Sequence, residues 1–229
     1  MPPREMATGQ HGRVRELMGA VVVVVGATGG LGAAVTDELR RRGATVLGAG
    51  RGGPDIVCDL RDGGAGDAVV RGALGTEGRL DGVVNAAGVV AFGALADTDP
   101  VVVEELFLTN TMGPMWLARS VVPALAETRG FFAAITGVVA EQPVAGMVAY
   151  GASKAALSSA LAGLRREVRR LGVQVIDVRP PHTETGLAGR PLAGVAPRLA
   201  TGLDPAAVAR RLVQAIVDDE QDVPAAAFA

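Results

Sequence analysis

Short apolar runs alternate with amphipathic stretches along most of the chain. Residues 20–25 read A-V-V-V-V-V, a β-branched run that is too short to span a membrane and is typical of a parallel strand buried on both faces. The period then changes, and four apolar residues share one helical face: Leu31, Ala34, Val35 and Leu39. The next residues, Arg40–Gly43, give a basic last turn and a glycine that can end a helix. The pattern therefore predicts a strand followed by a helix.

The same alternation continues to the C-terminus. It predicts strands over residues 44–49, 56–58, 82–85, 131–136 and 173–178, and a closing strand or tail over 221–229. It predicts helices over residues 67–75, 101–126 (bent near Gly113-Pro114), 147–171 and 204–218. The second and third strands are so close in sequence that the usual crossover helix is missing there. This order indicates the α/β class, with a doubly wound parallel sheet covered by helices on both faces.

One domain over residues 20–229 accounts for these elements. Residues 1–19 form a polar N-terminal extension, with a helical arm over Arg13–Met18 as the alternative. Arg13, Arg15 and the apolar run that follows them resemble the basic and apolar regions of a signal peptide. We reject that interpretation because the same run leads directly into a glycine-rich turn and a helix.

Composition narrows the possible functions. The 229 residues are 49% apolar and carry a formal net charge of −2 with scattered arginines, so neither a nucleic-acid partner nor a membrane partner is predicted. Cys58 is the single cysteine, and the two histidines, His11 and His182, are far apart in sequence. We therefore expect no internal disulfide and no metal site, and a reducing cytoplasm is the simplest location.

Three glycines follow the first strand in the pattern G-x-x-x-G-x-G. Gly26 would permit a tight turn, Gly30 would let a pyrophosphate approach the main chain, and Gly32 would let helix and strand pack closely. A strand-to-helix turn presents backbone N–H groups at the positive end of the helix dipole, which suits a phosphate. A turn that merely collects glycines is the alternative, but the flanking strand and helix favour a variant of the dinucleotide fingerprint and a Rossmann-like fold.

Tyr150 and Lys154 lie four residues apart, so a helix would place them one above the other. A free phenol has a pKa of about 10, and a neighbouring cation lowers the pKa by favouring the phenolate. The pair can therefore exchange a proton with a substrate as a general acid or base. An ordinary exposed tyrosine and lysine are the alternative for an isolated Y-x-x-x-K motif.

Other motifs accompany this pair in a fixed order. Residues 85–88 read N-A-A-G, Asn110 falls in a long predicted helix, and residues 180–185 read P-P-H-T-E-T. With the glycine turn and the Y-x-x-x-K motif, the chain resembles the short-chain dehydrogenase/reductase family over about residues 21–185.

The resemblance implies a role for each motif. Five residues of the glycine turn would hold the pyrophosphate and adenosine ribose of a nicotinamide dinucleotide: Gly26, Thr28, Gly30, Leu31 and Gly32. Other cofactor contacts would come from the ends of later strands: Asp59 and Leu60 at the adenine, Asn85, Ala86 and Gly88 at the ribose, and Pro180, Thr183 and Thr185 near the nicotinamide amide. Beside the cofactor, Lys154 would bind the nicotinamide ribose and lower the pKa of Tyr150. Asn110 would kink its helix and hold a water that relays protons, with a purely structural helix bend as the alternative.

The end of the second strand decides between the two nicotinamide cofactors. An acidic residue there would bind the 2′-hydroxyl and repel a 2′-phosphate, but this chain has Gly50 followed by Arg51. An arginine can bind a phosphate through several donors, so NADP(H) is favoured over NAD(H). A solvated Arg51 that stacks on the adenine is the alternative.

The chain departs from the family at several positions. Val25 replaces a threonine, Ala86 replaces an asparagine and Pro181 replaces a glycine. The family also has a serine thirteen residues before the tyrosine, which donates to the reacting carbonyl, and Gly137 stands there instead. Thr136 replaces that donor only if the strand end twists or bulges, because adjacent strand residues point to opposite faces.

Three explanations for Gly137 stay open. In the first the substrate brings its own polar group or a water, in the second another side chain donates, and in the third the protein no longer catalyses. His182 is the nearby imidazole for the second explanation, with a packed loop residue as the alternative. Glu184 either lies at the rim of the substrate site or is simply solvated.

Residues 186–203 fall where the family has its mobile substrate loop. The apolar residues of this segment suit an uncharged substrate, Arg190 and Arg198 suit a carboxylate or phosphate, and an ordinary connection is the third possibility. The sequence thus predicts an NAD(P)(H)-dependent oxidoreductase that interconverts a small-molecule carbonyl and a secondary alcohol. A catalytically silent nucleotide-binding protein with a sensing or scaffolding role is the alternative.

The resemblance also implies a homodimer or homotetramer. The helices over residues 101–126 and 147–171 would pack on their symmetry mates. Six small residues of the second helix would permit close approach: Ala155, Ala156, Ser158, Ser159, Ala160 and Ala162.

Overall fold

A parallel sheet of seven strands organises the computed structural model, which describes residues 14–229. The strands are β1 (Val21–Val25), β2 (Thr45–Gly50), β3 (Ile56–Val57), β4 (Gly82–Asn85), β5 (Phe131–Ile135), β6 (Gln174–Val178) and β7 (Asp222–Val223). Their order is β3-β2-β1-β4-β5-β6-β7, so Val25 pairs with Ala49 on one side and with Asn85 on the other. The strand order reverses between β1 and β4, which confirms the predicted doubly wound, Rossmann-like sheet.

Helices cover both faces of the sheet, as predicted. Within residues 14–229 the α-helices are α1 (Gly30–Arg41), α2 (Ala65–Glu77), α3 (Pro100–Phe107), α4 (Gly113–Thr128), α5 (Val148–Val168) and α6 (Pro205–Val217). Asp99 and Asp204 cap α3 and α6, each accepting a hydrogen bond from a backbone N–H of the first turn. In this described part of the chain, none of the helices combines the length and hydropathy needed to cross a lipid bilayer.

The valines of β1 show how the sheet divides the core. Val22 and Val24 pack on the face covered by α1 and α6, whereas Val23 and Val25 pack on the face covered by α2, α4 and α5. All of these side chains are buried. An uninterrupted apolar run is therefore required here, because successive residues point into two separate apolar layers.

The long helix predicted over residues 101–126 is interrupted. A π-helical turn over Leu108–Met112 separates α3 from α4 and contains Asn110. Pro114 lies just after this turn and has no N–H to donate, so the regular hydrogen-bond ladder is interrupted there. The irregularity falls in the five residues just before α4, beside the Gly113-Pro114 pair where a bend was predicted.

The described part of the predicted N-terminal extension packs on the domain. The Arg15 guanidinium donates to the carbonyl oxygens of Arg129 at 3.0 Å and Gly130 at 3.2 Å. Leu17 is buried in the core beside α1 and α6. Residues 14–18 form no helix, and the remainder of the extension, with His11 and Arg13, lies outside the described residues.

Candidate active site

The predicted site residues meet at the carboxyl edge of the sheet. Each candidate segment follows a strand: residues 26–32 follow β1, residue 51 follows β2, residues 59–60 follow β3, residues 86–88 follow β4, residues 136–137 follow β5 and residues 180–185 follow β6. Contacts with Gly88 and Ile135 bring Asn110 and Lys154 to the same edge. In open α/β sheets ligands bind at this edge, where the strand order reverses.

Close main-chain packing explains the glycines of the turn. Gly26 has a φ of +84°, and a Cβ there would lie 2.8 Å from the Ala87 nitrogen. A Cβ at Gly32 would overlap the carbonyl oxygen of Gly26, so only glycine lets α1 begin this close to β1. A Cβ at Gly30 would lie 2.7 Å from the carbonyl oxygen of Thr185, so the turn also contacts the segment after β6.

The N-terminus of α1 is open to an anionic ligand. Gly29 stands at the N-cap position without a side-chain hydrogen bond, and the first turn carries no acidic residue. Thr28 and Gly30 are exposed. The first N–H groups of a helix have no partner within the helix, and the helix dipole makes this end positive. The turn therefore fits a phosphate group.

Lys154, Asn110 and Gly88 converge on one point. A Cβ at Gly88 would lie 3.2 Å from both Asn110 Oδ1 and Lys154 Nζ. The buried Lys154 donates from Nζ to the carbonyl oxygen of Ile135 at 2.9 Å. The Asn110 amide binds the main chain of Val89, accepting from its N–H and donating to its carbonyl oxygen, each at 2.9 Å. These contacts fix both polar side chains beside the N-A-A-G motif.

Ser153 and Thr111 connect the π-helical turn to α5, and the sequence analysis missed both. Asn110 Nδ2 donates to Ser153 Oγ at 3.1 Å, and the Ser153 hydroxyl donates to the carbonyl oxygen of Tyr150 at 2.7 Å. Thr111 Oγ1 donates to the carbonyl oxygen of Ser153 at 2.8 Å. The sequence did contain a clue: Thr111 directly follows Asn110, and Ser153 lies between Tyr150 and Lys154. The π-helical turn therefore fixes the first turn of α5, which carries Tyr150.

Burial dominates the electrostatics of the tyrosine–lysine pair. Desolvation raises the pKa of Tyr150 to about 12, which is the opposite of the lowering expected from a neighbouring cation. Desolvation also lowers the pKa of Lys154 to about 8, and the negative charge of Asp177 partly opposes that effect. Tyr150 is therefore a neutral phenol near neutral pH, which is the form that donates a proton.

The ionisation of Tyr150 can be measured directly because it is the single tyrosine of the chain. We expect only a few per cent phenolate at pH 10, where a free tyrosine with a pKa of about 10 is half ionised. The measurement is the near-ultraviolet absorbance of phenolate in the native protein, with the urea-unfolded chain as the control. A native midpoint at or below that of the unfolded chain would contradict the dominant effect of burial.

A comparison with models of protein families matches residues 55–193 to the family described as short chain dehydrogenase. This chain belongs to the short-chain dehydrogenase family. The match covers more than half of the chain and extends from β3 into the segment after β6, so it includes the Tyr150–Lys154 motif.

Relatives and solved structures agree with this assignment. Dehydrogenase/reductase SDR family member 7B of Bos taurus is 28% identical over an alignment 235 residues long, which covers 89% of this chain and 72% of that protein. Another relative is so much longer that the chain spans 18% of its length. A short chain dehydrogenase from Burkholderia cenocepacia in complex with NADP aligns with a TM-score of 0.80 at 23% identity, over 92% of this chain and 90% of that one. One from Burkholderia phymatum in complex with NAD aligns with a TM-score of 0.82 at 21% identity, over the same shares.

Gly137, where the resemblance implies a serine, has a backbone conformation that favours glycine. Gly137 has a φ of +84°, in the region that L-residues with side chains rarely adopt. A Cβ at Gly137 would meet only the carbonyl oxygen of Pro180, at 3.9 Å, so the space beside the residue is open. A serine at this position would therefore fit sterically but would strain the backbone just after β5.

Thr136 does not supply the missing donor, which corrects its tentative catalytic assignment. Its side chain is 1% exposed, and its hydroxyl donates to Asp177 Oδ1 at 2.5 Å. The hydroxyl therefore binds a residue of β6 and is not presented to a substrate.

The two residues predicted to contact adenine, Asp59 and Leu60, lie in different surroundings from each other. The Asp59 carboxylate accepts from Arg61 Nη2 at 2.6 Å, and this hydrogen bond is the main cause that lowers the pKa of Asp59. The positive charge of the exposed Arg51 acts in the same direction. Leu60 is buried in the core, so only its main chain can reach a ligand. Arg51 and Arg61 thus both lie close to Asp59, and the sequence analysis had singled out only Arg51.

The segments after β4 and β6 use their polar side chains mainly to fix their own turns. Asn85 is buried, and its Oδ1 accepts from the N–H of Ala87 at 3.3 Å. Thr183 Oγ1 donates to the carbonyl oxygen of Pro181 at 2.9 Å, and Thr185 Oγ1 accepts a main-chain N–H from two residues further on. These side chains therefore shape the edge of the site in the same turns that the family resemblance assigns to the cofactor.

The predicted substrate loop, residues 186–203, lies on the segment after β4. Main-chain hydrogen bonds join the loop to Val90 at 2.8 Å and to Phe92 at 2.9 Å. The cavity beside Tyr150 has a volume of about 10 Å³, which holds roughly one water. Its lining is Ala91, Phe92, Gly93, Thr98, Gly146, Met147, Val148, Ala149 and Tyr150. This cavity is too small for an organic substrate.

His182 and Glu184 join the two ends of this loop. His182 Nε2 lies 3.4 Å from Glu184 Oε1, and the same oxygen accepts from the N–H of Gly202 at 2.8 Å. The pair therefore closes the loop, and its contacts do not support the catalytic hypothesis for His182. Arg190 and Arg198 are exposed on the loop.

Proposed function

We propose that this protein is an NADP(H)-dependent oxidoreductase that interconverts a carbonyl and a secondary alcohol. The observation that carries the proposal is the convergence of Lys154 Nζ and Asn110 Oδ1 beside Gly88, one helical turn from Tyr150. Lys154 is the single lysine of a chain with 22 lysines and arginines together. A lysine can be tuned by burial and an arginine cannot lose its proton, so a lysine at this position favours a chemical role.

The glycine turn supports a bound dinucleotide. The open N-terminus of α1 would hold the pyrophosphate, with contacts from Gly26, Thr28, Gly30, Leu31 and Gly32. Residues of the later strand ends would hold the rest of the cofactor: Asp59, Leu60, Asn85, Ala86, Gly88, Pro180, Thr183 and Thr185. When bound, a nicotinamide dinucleotide supplies or accepts a hydride at the substrate carbon.

Tyr150 would exchange the proton. The phenol is neutral near pH 7, so it can donate to the carbonyl oxygen as negative charge develops there during reduction. The Lys154 ammonium would then stabilise the phenolate that remains, and it would bind the nicotinamide ribose. Asn110 would hold the water that returns a proton through Lys154. In the direction of oxidation the same groups act in the reverse order.

The test of the proposal is a turnover assay. The purified protein is incubated with NADPH or NADH and a panel of ketones and aldehydes, and consumption of the reduced cofactor is followed by absorbance. Uncharged carbonyls have priority in the panel because most residues of the predicted substrate loop, residues 186–203, are apolar, glycine or proline. Consumption that depends on the carbonyl supports the proposal. Failure across the whole panel, with cofactor binding intact, would refute it.

The Gly137 position supports one second candidate, a catalytically silent nucleotide-binding protein. The positive φ of Gly137 and the engagement of the Thr136 hydroxyl with Asp177 leave the family's serine donor without a replacement. Loss of one such donor costs about 10²- to 10³-fold in rate in a studied hydrolase, so weak activity is expected before complete silence. Tight NADPH binding without any turnover would favour this second candidate.

We propose NADP(H) over NAD(H) because no acidic residue stands at the end of β2. Gly50 ends the strand, and the exposed Arg51 follows it. An acidic residue would repel a 2′-phosphate, whereas an arginine can bind it through several donors. Arg61 is ion-paired with the carboxylates of Asp59 and Glu105, so the proposed preference rests on Arg51.

Replacing Arg51 with aspartate should weaken NADPH binding about 10- to 100-fold and leave NADH binding much less affected, because a charge-assisted phosphate contact is lost. The measurement is the dissociation constant of each cofactor by fluorescence titration, at fixed ionic strength. Arg71→Asp is the matched control, since Arg71 is an exposed arginine of α2 with the same charge change. Equal losses for both cofactors in Arg51→Asp would remove the preference argument.

We further propose a homodimer or homotetramer built on α4 and α5 and located in the cytoplasm. The exposed side chains of Met112 and Met115 lie at the start of α4, where apolar surface suits a partner helix. Ser158 is removed from the set of contact residues because its hydroxyl donates inward to Asp177. Light scattering of the purified protein measures the assembly, and a monomer at micromolar concentration would exclude it.

A further inference from the structure

Asp177 is a buried carboxylate behind the site that none of the roles above uses. It lies in β6 and is 2% exposed. Its Oδ1 accepts from Thr136 Oγ1 at 2.5 Å, and its Oδ2 accepts from Ser158 Oγ at 2.5 Å and from Arg179 Nη1 at 2.6 Å. A buried carboxylate is costly unless donors replace its water, and these three donors compensate for the lost solvation.

Two of these donors belong to the elements that hold Lys154. Ser158 lies one helical turn after Lys154 on α5, so the two side chains share one face of the helix. Thr136 directly follows Ile135, whose carbonyl oxygen accepts from Lys154 Nζ at 2.9 Å. The Asp177 carboxylate therefore links α5 to the end of β5 on the side of the sheet where the ammonium lies.

Asp177 is also the charged group that faces Lys154. On α5 the neighbour is the neutral phenol of Tyr150, and on the π-helical turn it is the uncharged amide of Asn110. The strand β5 contributes a carbonyl oxygen. Arg179, the residue that directly follows β6, forms an ion pair with Asp177. The charge of Asp177 raises the pKa of Lys154 and so opposes the effect of burial.

We propose that Asp177 is a positioning residue for Lys154: its carboxylate fixes the ends of β5 and α5 around the ammonium and places a negative charge on that side of the sheet. The inference deepens the proposed function, on which it rests for its role in turnover. The direction of the effect on the pKa of Lys154 follows from the charges. An anion stabilises the ammonium and opposes desolvation, so Lys154 without Asp177 loses its proton at a lower pH.

The test uses the single lysine of the chain. Protein labelled with ¹³C-lysine gives one side-chain signal, whose chemical shift reports the protonation of Lys154 whether or not the protein is active. We expect Asp177→Asn to move the titration midpoint down by about one pH unit, since an opposite charge nearby shifts a pKa by roughly one to three units and this charge is shared with Arg179.

Asp222→Asn is the matched control. It removes one carboxylate and one partner of Arg179, at 2.9 Å, but it keeps the hydrogen bonds of Asp177 with Thr136 and Ser158. Its lysine midpoint should equal that of the unchanged protein. Asp177→Ser is a second variant in case the asparagine NH2 group faces the Ser158 or Arg179 donor and disturbs folding, because a hydroxyl can accept from either while Arg179 keeps Glu141 and Asp222. It should give the same downward shift.

Turnover provides a separate readout. Below both midpoints Lys154 is charged in either protein, so the rates of Asp177→Asn and the unchanged protein should approach each other at acidic pH. The gap should widen as the pH rises between the two midpoints. An unshifted lysine signal in both Asp177 variants overturns the positioning role even if carbonyls are reduced. A shifted signal without turnover on any carbonyl supports the positioning role and counts against the proposed function.

Discussion

Turnover should fall about 10²- to 10⁴-fold when Tyr150 is replaced by phenylalanine, because the change removes the hydroxyl that we propose exchanges a proton with the substrate oxygen. The ring that contacts the cavity stays, and the glycine turn and Lys154 are untouched. The dissociation constant for NADPH should therefore change little. The measurements are kcat from cofactor absorbance, with the best carbonyl of the panel, and a binding titration with NADPH.

A loss of turnover has this meaning only if the fold is intact. The thermal unfolding temperature of Tyr150→Phe should match that of the unchanged protein, because the tyrosine hydroxyl carries no structural hydrogen bond among those described here. Thr45→Val is a matched control, since it deletes an exposed hydroxyl at the start of β2, on the opposite edge of the sheet. If Tyr150→Phe keeps more than about a tenth of the turnover, the proton comes from another group and the proposed mechanism is wrong.

Most of the fold could be predicted because its signals are local. The run Val21–Val25 needs both faces covered, and the Asp-Pro pairs at 99–100 and 204–205 mark helix starts that the structure confirms. The π-helical turn over Leu108–Met112 could not be predicted in the same way. It follows from long-range contacts of Asn110 with Val89 and of Thr111 with Ser153, which no local pattern encodes.

The site shows the same difference between features set by local motifs, which could be predicted, and features set by long-range contacts, which could not. The glycine turn and the Tyr150–Lys154 spacing are local motifs, so the sequence alone identified them and placed them at one edge of the sheet. The orientation of Thr136 and the pKa of Tyr150 depend on what lies across the sheet and around the ring. Asp177 is 41 residues from Thr136 and 19 from Ser158, so the carboxylate that binds both hydroxyls becomes visible only in three dimensions.

Replacing Gly32 with alanine should destabilise the protein by about 2 kcal/mol and weaken NADPH binding at least about tenfold. The new methyl group would overlap the carbonyl oxygen of Gly26 and lie 3.1 Å from the Cα of Ala27, so α1 must move away from the turn. Overpacking of this kind costs about 1–3 kcal/mol, which exceeds the gain of about 1 kcal/mol in helix propensity. The shift also displaces the N–H groups that would hold the pyrophosphate. Thermal unfolding and an NADPH titration measure the two effects.

Gly75→Ala separates crowding at the turn from the general effect of a glycine-to-alanine change in a helix. Gly75 is an exposed residue of α2, and a Cβ there would meet no atom within 4 Å. The chain gains helix propensity and loses unfolded-state entropy without any clash, so this variant should be about 0.5–1 kcal/mol more stable and bind NADPH unchanged. The same glycine-to-alanine change is thus expected to lower stability at Gly32 and to raise it at Gly75. If both variants are stabilised and both bind NADPH normally, the close approach of α1 to β1 is not what the glycine turn requires.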